Sequence, residues 1–282
     1  MSVEEKGDVR GADRRSPTRF DPLWEEPESS RVGRPARVSR PEVVAAAVAL
    51  ADEQGLGKVS MRAVARSLGV GTMTLYSHVP GREELIDLMI ESAYGELELP
   101  GPALDWRPAL ETYARAQWTM LRAHPWLLDI NPWRMPLGPH VLTAQDVGAR
   151  CLVDTGLSGT QVVEVIGVID NAISGAARSA VAEADDERRE GEDYESYWTG
   201  ATSFWEQRFD PARFPSMTRL WTVGAYDTAA TPFDLRLGGL LDTVELLIDN
   251  ARAEGTEPVP GYDECMVLLE AKIAEYREHG WA

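Results

Sequence analysis

Within Ser60-Met61-Arg62 and Gly71-Thr72-Met73-Thr74-Leu75-Tyr76-Ser77-His78 the chain gathers a guanidinium, several hydroxyls, a phenol and an imidazole, and Arg82 follows closely. Such groups donate hydrogen bonds to phosphate oxygens and base edges. At helical spacing Gly71, Thr72, Thr74 and Ser77 share one small polar face, as needed by a helix that approaches base edges closely in a DNA major groove. Single residues here carry plainer readings: Tyr76 also fits a core aromatic, and His78 a structural histidine. Covalent chemistry is poorly served. The four histidines (His78, His124, His140 and His279) make no His-x-x-x-His pair, and Cys151 and Cys265 make no Cys-x-x-Cys. There is no Gly-x-Ser-x-Gly elbow, phosphate-binding Gly-x-x-x-x-Gly-Lys loop or dinucleotide fingerprint. The expectation is a DNA-binding protein and not an enzyme. A helical protein-binding adaptor, or an enzyme without a known motif, is the alternative, and steep salt dependence of duplex binding separates the first reading from both.

Those side chains act only if helices hold them. Ser39 is a good N-cap, and Pro41 and Glu42 suit a first turn. Val43, Ala46, Ala47, Leu50 and Ala51 then form one helical face, which Gly55 and Gly57 end. Ser60 opens a second helix with Val64, Ala65 and Leu68 turned inward, and Gly69 stops it. A third short helix runs from Thr72 to His78 with Leu75 and Val79 facing the others. After Pro80-Gly81, a fourth carries Leu85, Leu88, Met89 and Ala93. Helices of about seven residues are not stable alone, so the second and third need the first to cover them. This is a helix-turn-helix pattern.

The run from Val43 to Leu88 resembles the DNA-binding domain of TetR-family transcriptional regulators, above all in Gly69-Val70, Thr74-Leu75-Tyr76-Ser77-His78-Val79 and Arg82-Glu83-Glu84-Leu85. The resemblance implies that Ser60, Met61 and Arg62 touch phosphate and base edges, with Arg62 bidentate to guanine. It implies that Thr72, Met73 and Thr74 face bases beside Ser77, and that Tyr76, His78 and Arg82 hold the phosphate backbone. Asp105-Trp106-Arg107-Pro108-Ala109-Leu110, His124-Pro125-Trp126 and Pro136-Leu137-Gly138-Pro139 are similar to the ligand-binding domain of the branch that includes the tetracycline repressors. It follows as an expectation that the protein is a homodimeric, small-molecule-responsive repressor of a palindromic operator. Glu98 stands where that branch has a tetracycline-contacting histidine, which speaks against metal-dependent tetracycline binding. No metal or cofactor is expected beyond the effector.

The 282 residues carry a net charge of −18, unevenly spread. Residues 31–82 hold eight basic against three acidic side chains; residues 83–282 hold 15 against 35. A basic head on an acidic body presents one face to a polyanion. Two cysteines exclude a disulfide scaffold, and the longest apolar run, Val43 to Ala51, is far below a membrane span, so a cytoplasmic protein is expected. The fold class is all-α: a three-helix N-terminal domain (39–85, motif 59–78), a larger ligand-binding and dimerisation domain (86–256) and a C-terminal helical extension (257–282). Residues 1–38 read as a disordered leader; Arg31, Arg34, Arg37 and Arg40, spaced by three, suit an arm in the minor groove, and an ordinary solvated linker is the plainer reading. Body helices are expected over 105–123, 138–155, 158–183, 194–208, 213–227, 235–254 and 261–278, with an acidic, mobile connection from Glu183 to Glu195. Eight of the nine tryptophans follow residue 105. Trp118, Trp126, Trp133 and Trp205, with Asn171, are the candidate ligand-pocket residues; packing of a helical core is the plainer reading. Helices 158–183 and 235–254 carry more apolar surface than one partner covers, and the resemblance makes them a four-helix dimer interface.

Overall fold

The computed structural model describes residues 19–25, 38–191, 194–226 and 233–278, which are all-helical and contain no strand. The head begins at α2 (Arg40–Gln54), where the Ser39 hydroxyl accepts from the Glu42 amide and Glu42 reaches back to Ser39, a reciprocal cap. That contact holds the Glu42 carboxyl below its usual range. Gly55, at φ 83°, ends α2 in a backbone region that a side chain disfavours. Ser60 caps α3 (Met61–Ser67) by accepting from the Ala63 amide at 3.2 Å, and Gly69, at φ 66°, turns the chain into α4 (Thr72–Tyr76). Val43, Ala47, Val64, Leu75, Val79 and Leu85 are fully buried between these helices and α5 (Arg82–Tyr94). The burial stabilises α3 and α4, which at seven and five residues are too short to persist alone.

Helix α5 crosses residue 85 and carries the core into the body, with Met89, Ile90 and Ala93 buried. There α5 packs on α7 (Pro139–Arg150), which with α6 (Trp106–Ala123), α8 (Gly159–Glu190) and α12 (Phe233–Glu254) forms the body. Leu110, Val141, Leu152, Ile169, Ile173, Leu237 and Ile248 are its buried large side chains. Glu91 of α5 is buried and its carboxylate accepts the His140 and Val141 amides at the N-terminus of α7. A Cβ on Gly138 would run into that carboxylate, so a side chain there would displace the Glu91 cap.

Several elements differ from expectation. Residues 21–24 form a helical turn, α1 (Asp21–Trp24), so the leader is not structureless at 19–25. Arg19 chelates buried Asp87 of α5 at 2.5 and 2.7 Å, and Leu23 is buried. Arg40 is no arm residue: it opens α2 and donates to the Pro22 carbonyl and the Glu25 carboxylate. Arg31, Arg34 and Arg37 lie outside the described residues. Helix α7 stops at Arg150, short of 155, where Arg252 holds the Thr155 carbonyl in the following turn. The acidic stretch is helical through Glu190, because alanine, glutamate and arginine favour helix and Arg188 and Arg189 face Asp185 one turn away. The helix expected over 194–208 breaks at Ala201 into α9 (Tyr194–Gly200) and α10 (Thr202–Gln207), and α11 spans only Pro215–Thr222. The last described element is α13 (Tyr262–Glu278).

Candidate nucleic-acid interface

Capping and burial on one side of α3 and α4 decide what the other side offers. Val64, Ala65 and Leu75 point into the core, which leaves Arg62, Met73, Tyr76 and Ser77 exposed. Met73 is 80% exposed, an apolar thioether with no packing partner to justify it, as a thymine methyl contact would require. Tyr76 is 47% exposed, which rules out the core-aromatic reading. Thr72, Thr74 and His78 are half-buried at the margin. Ser77 donates to the Thr74 carbonyl at 2.7 Å, so its hydroxyl offers only acceptor capacity outward.

Two expected contacts need correction. Met61 is 6% exposed and belongs to the core, because the first residue after the Ser60 cap faces α2 and not solvent. Arg82 is exposed but not free: its Nε donates to the Val59 carbonyl at 2.9 Å and Nη2 to the Leu56 carbonyl at 3.2 Å. Those bonds brace the turn ahead of α3, so Arg82 positions the reading head besides lying beside it.

The five candidate pocket residues do not converge. Trp126 is 2% exposed and its Nε1 donates to Asp52 of α2 at 2.8 Å, a head-to-body tie. Trp118 stacks on Phe233 at 4.3 Å, Trp133 is 75% exposed beneath the Arg134 guanidinium, and Asn171 is exposed. Trp205 belongs to a separate aromatic group with Phe209 and Trp221, 5.5 and 5.0 Å away. None of the five lines the cleft of about 390 Å³ between Trp106, Arg150, Asp154 and Arg252.

The body instead holds a polar cluster among apolar helix faces. Gln117 of α6 donates to the Tyr113 hydroxyl at 2.7 Å and to Asp170 Oδ1 of α8 at 3.3 Å; the Tyr113 hydroxyl lies 3.4 Å from the same oxygen. Burial pushes the Asp170 carboxyl up to about 6, partly offset by the Tyr113 hydroxyl. Burial, with Asp170 nearby, pushes the Tyr94 phenol up to about 12 and raises Tyr113 as well. Gly148 of α7 leaves room for the Tyr113 ring, which a Cβ would meet at 3.0 Å. The sequence signal was Asp170 interrupting the Val165, Ile169, Ile173 face. Below this cluster α6 ends at His124, 7% exposed, whose Nδ1 meets Asp52 at 2.9 Å and whose Nε2 meets Glu96 at 3.1 Å. Burial alone would lower the imidazole's pKa, but the two carboxylates outweigh it and raise it.

The family described as bacterial regulatory proteins, tetR family, matches residues 43–89, from within α2 into α5. The tetracyclin repressor-like C-terminal domain matches residues 99–246. The chain belongs to the TetR family. It is 37% identical over 231 residues to the HTH-type transcriptional repressor DrrR1 of Streptomyces coeruleorubidus, covering 78% of this chain and 84% of that one. It is 27% identical to the class E tetracycline repressor protein of Escherichia coli over 50% of this chain and 68% of the relative. In fold it is similar to apo ActR from Streptomyces coelicolor, with a TM-score of 0.62 at 22% identity, covering 77% of this chain and all of ActR. A second ActR structure holds actinorhodin and aligns at a TM-score of 0.59 and 24% identity, covering 78% of this chain and 99% of that one. As a TetR-family regulator, the protein carries its helix-turn-helix in α3 and α4. No described helix is long and apolar enough to cross a membrane.

Proposed function

We propose that the protein is a transcriptional repressor that binds a palindromic operator as a homodimer and is released by a small molecule, with no catalytic role. The observation that carries this reading is the exposed Arg62, Met73 and Tyr76 face of α3 and α4, which has no packing function and suits a major groove. The repressor name of DrrR1 and the actinorhodin complex of ActR support the repressor and effector parts. In this reading residues 39–85 read DNA through Ser60, Arg62, Thr72, Met73, Thr74, Tyr76, Ser77 and His78, and residues 86–256 bind the effector and dimerise. The dimer forms through α8 and α12. Val163 and Val168 of α8 and Leu235, Leu246 and Leu247 of α12 are exposed apolar side chains, whereas Leu237 and Leu241 fill the subunit's own core.

Selection of bound sequences from a random duplex pool tests this reading. The expected product is an inverted repeat with half-site centres about one helical turn apart or a multiple of it. Recovery of no enriched sequence overturns it.

A further inference from the structure

Asp170 is the odd carboxylate of this molecule. Buried Asp87 is chelated by Arg19, buried Glu91 caps α7, and Asp52 faces His124 and the Trp126 indole. Asp170 meets only neutral donors, the Tyr113 hydroxyl and the Gln117 amide, both long and both on Oδ1. Among the described residues no cation pairs with it, and Oδ2 has no donor. Every fully enclosed side-chain oxygen of the described, non-exposed residues has a partner, so Oδ2 must open on accessible space. A half-buried carboxylate without counter-charge is costly unless something supplies the charge.

We infer that Asp170, flanked by Tyr94, Tyr113 and Gln117, is the recognition point for a protonated amine on the effector. The inference rests on the effector-responsive reading above and names the chemical class that reading leaves open. An ammonium group donates to Oδ2 in a charge-assisted hydrogen bond, stronger than either existing neutral contact. Ile169 and Ile173 on α8 and Leu110 and Ala114 on α6 flank Asp170 and Tyr113 but are themselves fully buried, so the recognition point is the Oδ2 atom and not an apolar surface. An anionic effector is repelled at this point, and a neutral one leaves the carboxylate uncompensated.

The test uses a matched pair of probes, 1-naphthylmethylamine and 1-naphthylmethanol, which share a ring and differ in an ammonium against a hydroxyl. Each is titrated calorimetrically into the full-length protein and into Asp170→Asn at neutral pH. The amine is expected to bind the native protein about tenfold more tightly than the alcohol. In Asp170→Asn that preference disappears, alcohol binding is unchanged, and operator binding without probe stays native, which shows the variant folded. Equal binding of the two probes, binding of neither, or an amine preference that survives Asp170→Asn overturns the proposal. Operator binding by the native protein is scored separately, so its absence marks failure of the regulator reading and not of the amine site.

Discussion

Arg62 and Arg82 carry the same charge, but their surroundings give them different tasks. Arg62 is exposed at the start of α3 with no partner among the described residues. Its replacement by alanine is expected to weaken operator binding by about 1–3 kcal/mol and relax preference at one base pair per half-site. Equal loss on operator and random duplex would make Arg62 a phosphate contact only. Arg82 holds two backbone carbonyls of the turn before α3. Arg82→Ala is therefore expected to lower folding stability by about 1 kcal/mol as well as DNA affinity. Denaturant unfolding of the variant checks this, and an unchanged midpoint would assign Arg82 to phosphate alone.

At the scale of elements, α12 has two apolar sides with different partners. Leu241 is 2% exposed against the subunit's own core, while Leu246 is 59% exposed. A charge at each position separates intramolecular packing from assembly. Leu241→Glu buries an unpaired carboxylate and is expected to destabilise the subunit by several kcal/mol. Leu246→Glu is expected to leave thermal unfolding of the subunit near native while splitting the dimer and collapsing operator affinity, since each head then binds its half-site alone. Light scattering and operator titration of Leu246→Glu decide the matter. A dimeric variant with native affinity would remove α12 from the interface.

The whole molecule joins a basic head to an acidic body, and His124 bridges them through Asp52 of α2 and Glu96. Gln117 and His124 lie two turns apart on α6, so the helix that touches the Asp170 cluster also touches Asp52 of the head. Both ring nitrogens face carboxylates, an arrangement that only the doubly protonated imidazolium satisfies. Because its folded pKa is raised, the stability it contributes is fully present below the unfolded value of about 6.5 and is lost as pH rises through the folded value. Native protein is expected to lose stability across that window, and His124→Asn to show no such loss. Thermal unfolding from mildly acidic to mildly alkaline pH is the measurement, and parallel curves for the two proteins would show that the His124 contacts with Asp52 and Glu96 do not stabilise the fold.

Local information was enough for the head. The caps at Ser39 and Ser60, the glycine turns and the apolar periods of α2 to α5 are decided by neighbours within a few residues, so they are legible in order. The same holds for the exposed face of α3 and α4, because whatever a short helix does not bury it must present. Met61 and Arg82 show the limit: position relative to a cap does not say which way a side chain turns or which distant carbonyl it finds. The body was legible as helices and not as contacts. Whether a tryptophan packs on Phe233, ties to Asp52 or lies on the surface depends on how helices far apart in sequence cross. The meeting of Asp170 with Tyr94, Tyr113 and Gln117, and of His124 with Asp52 and Glu96, was decided by tertiary packing alone, because burial and opposing charge are properties of the assembled helices and not of any segment.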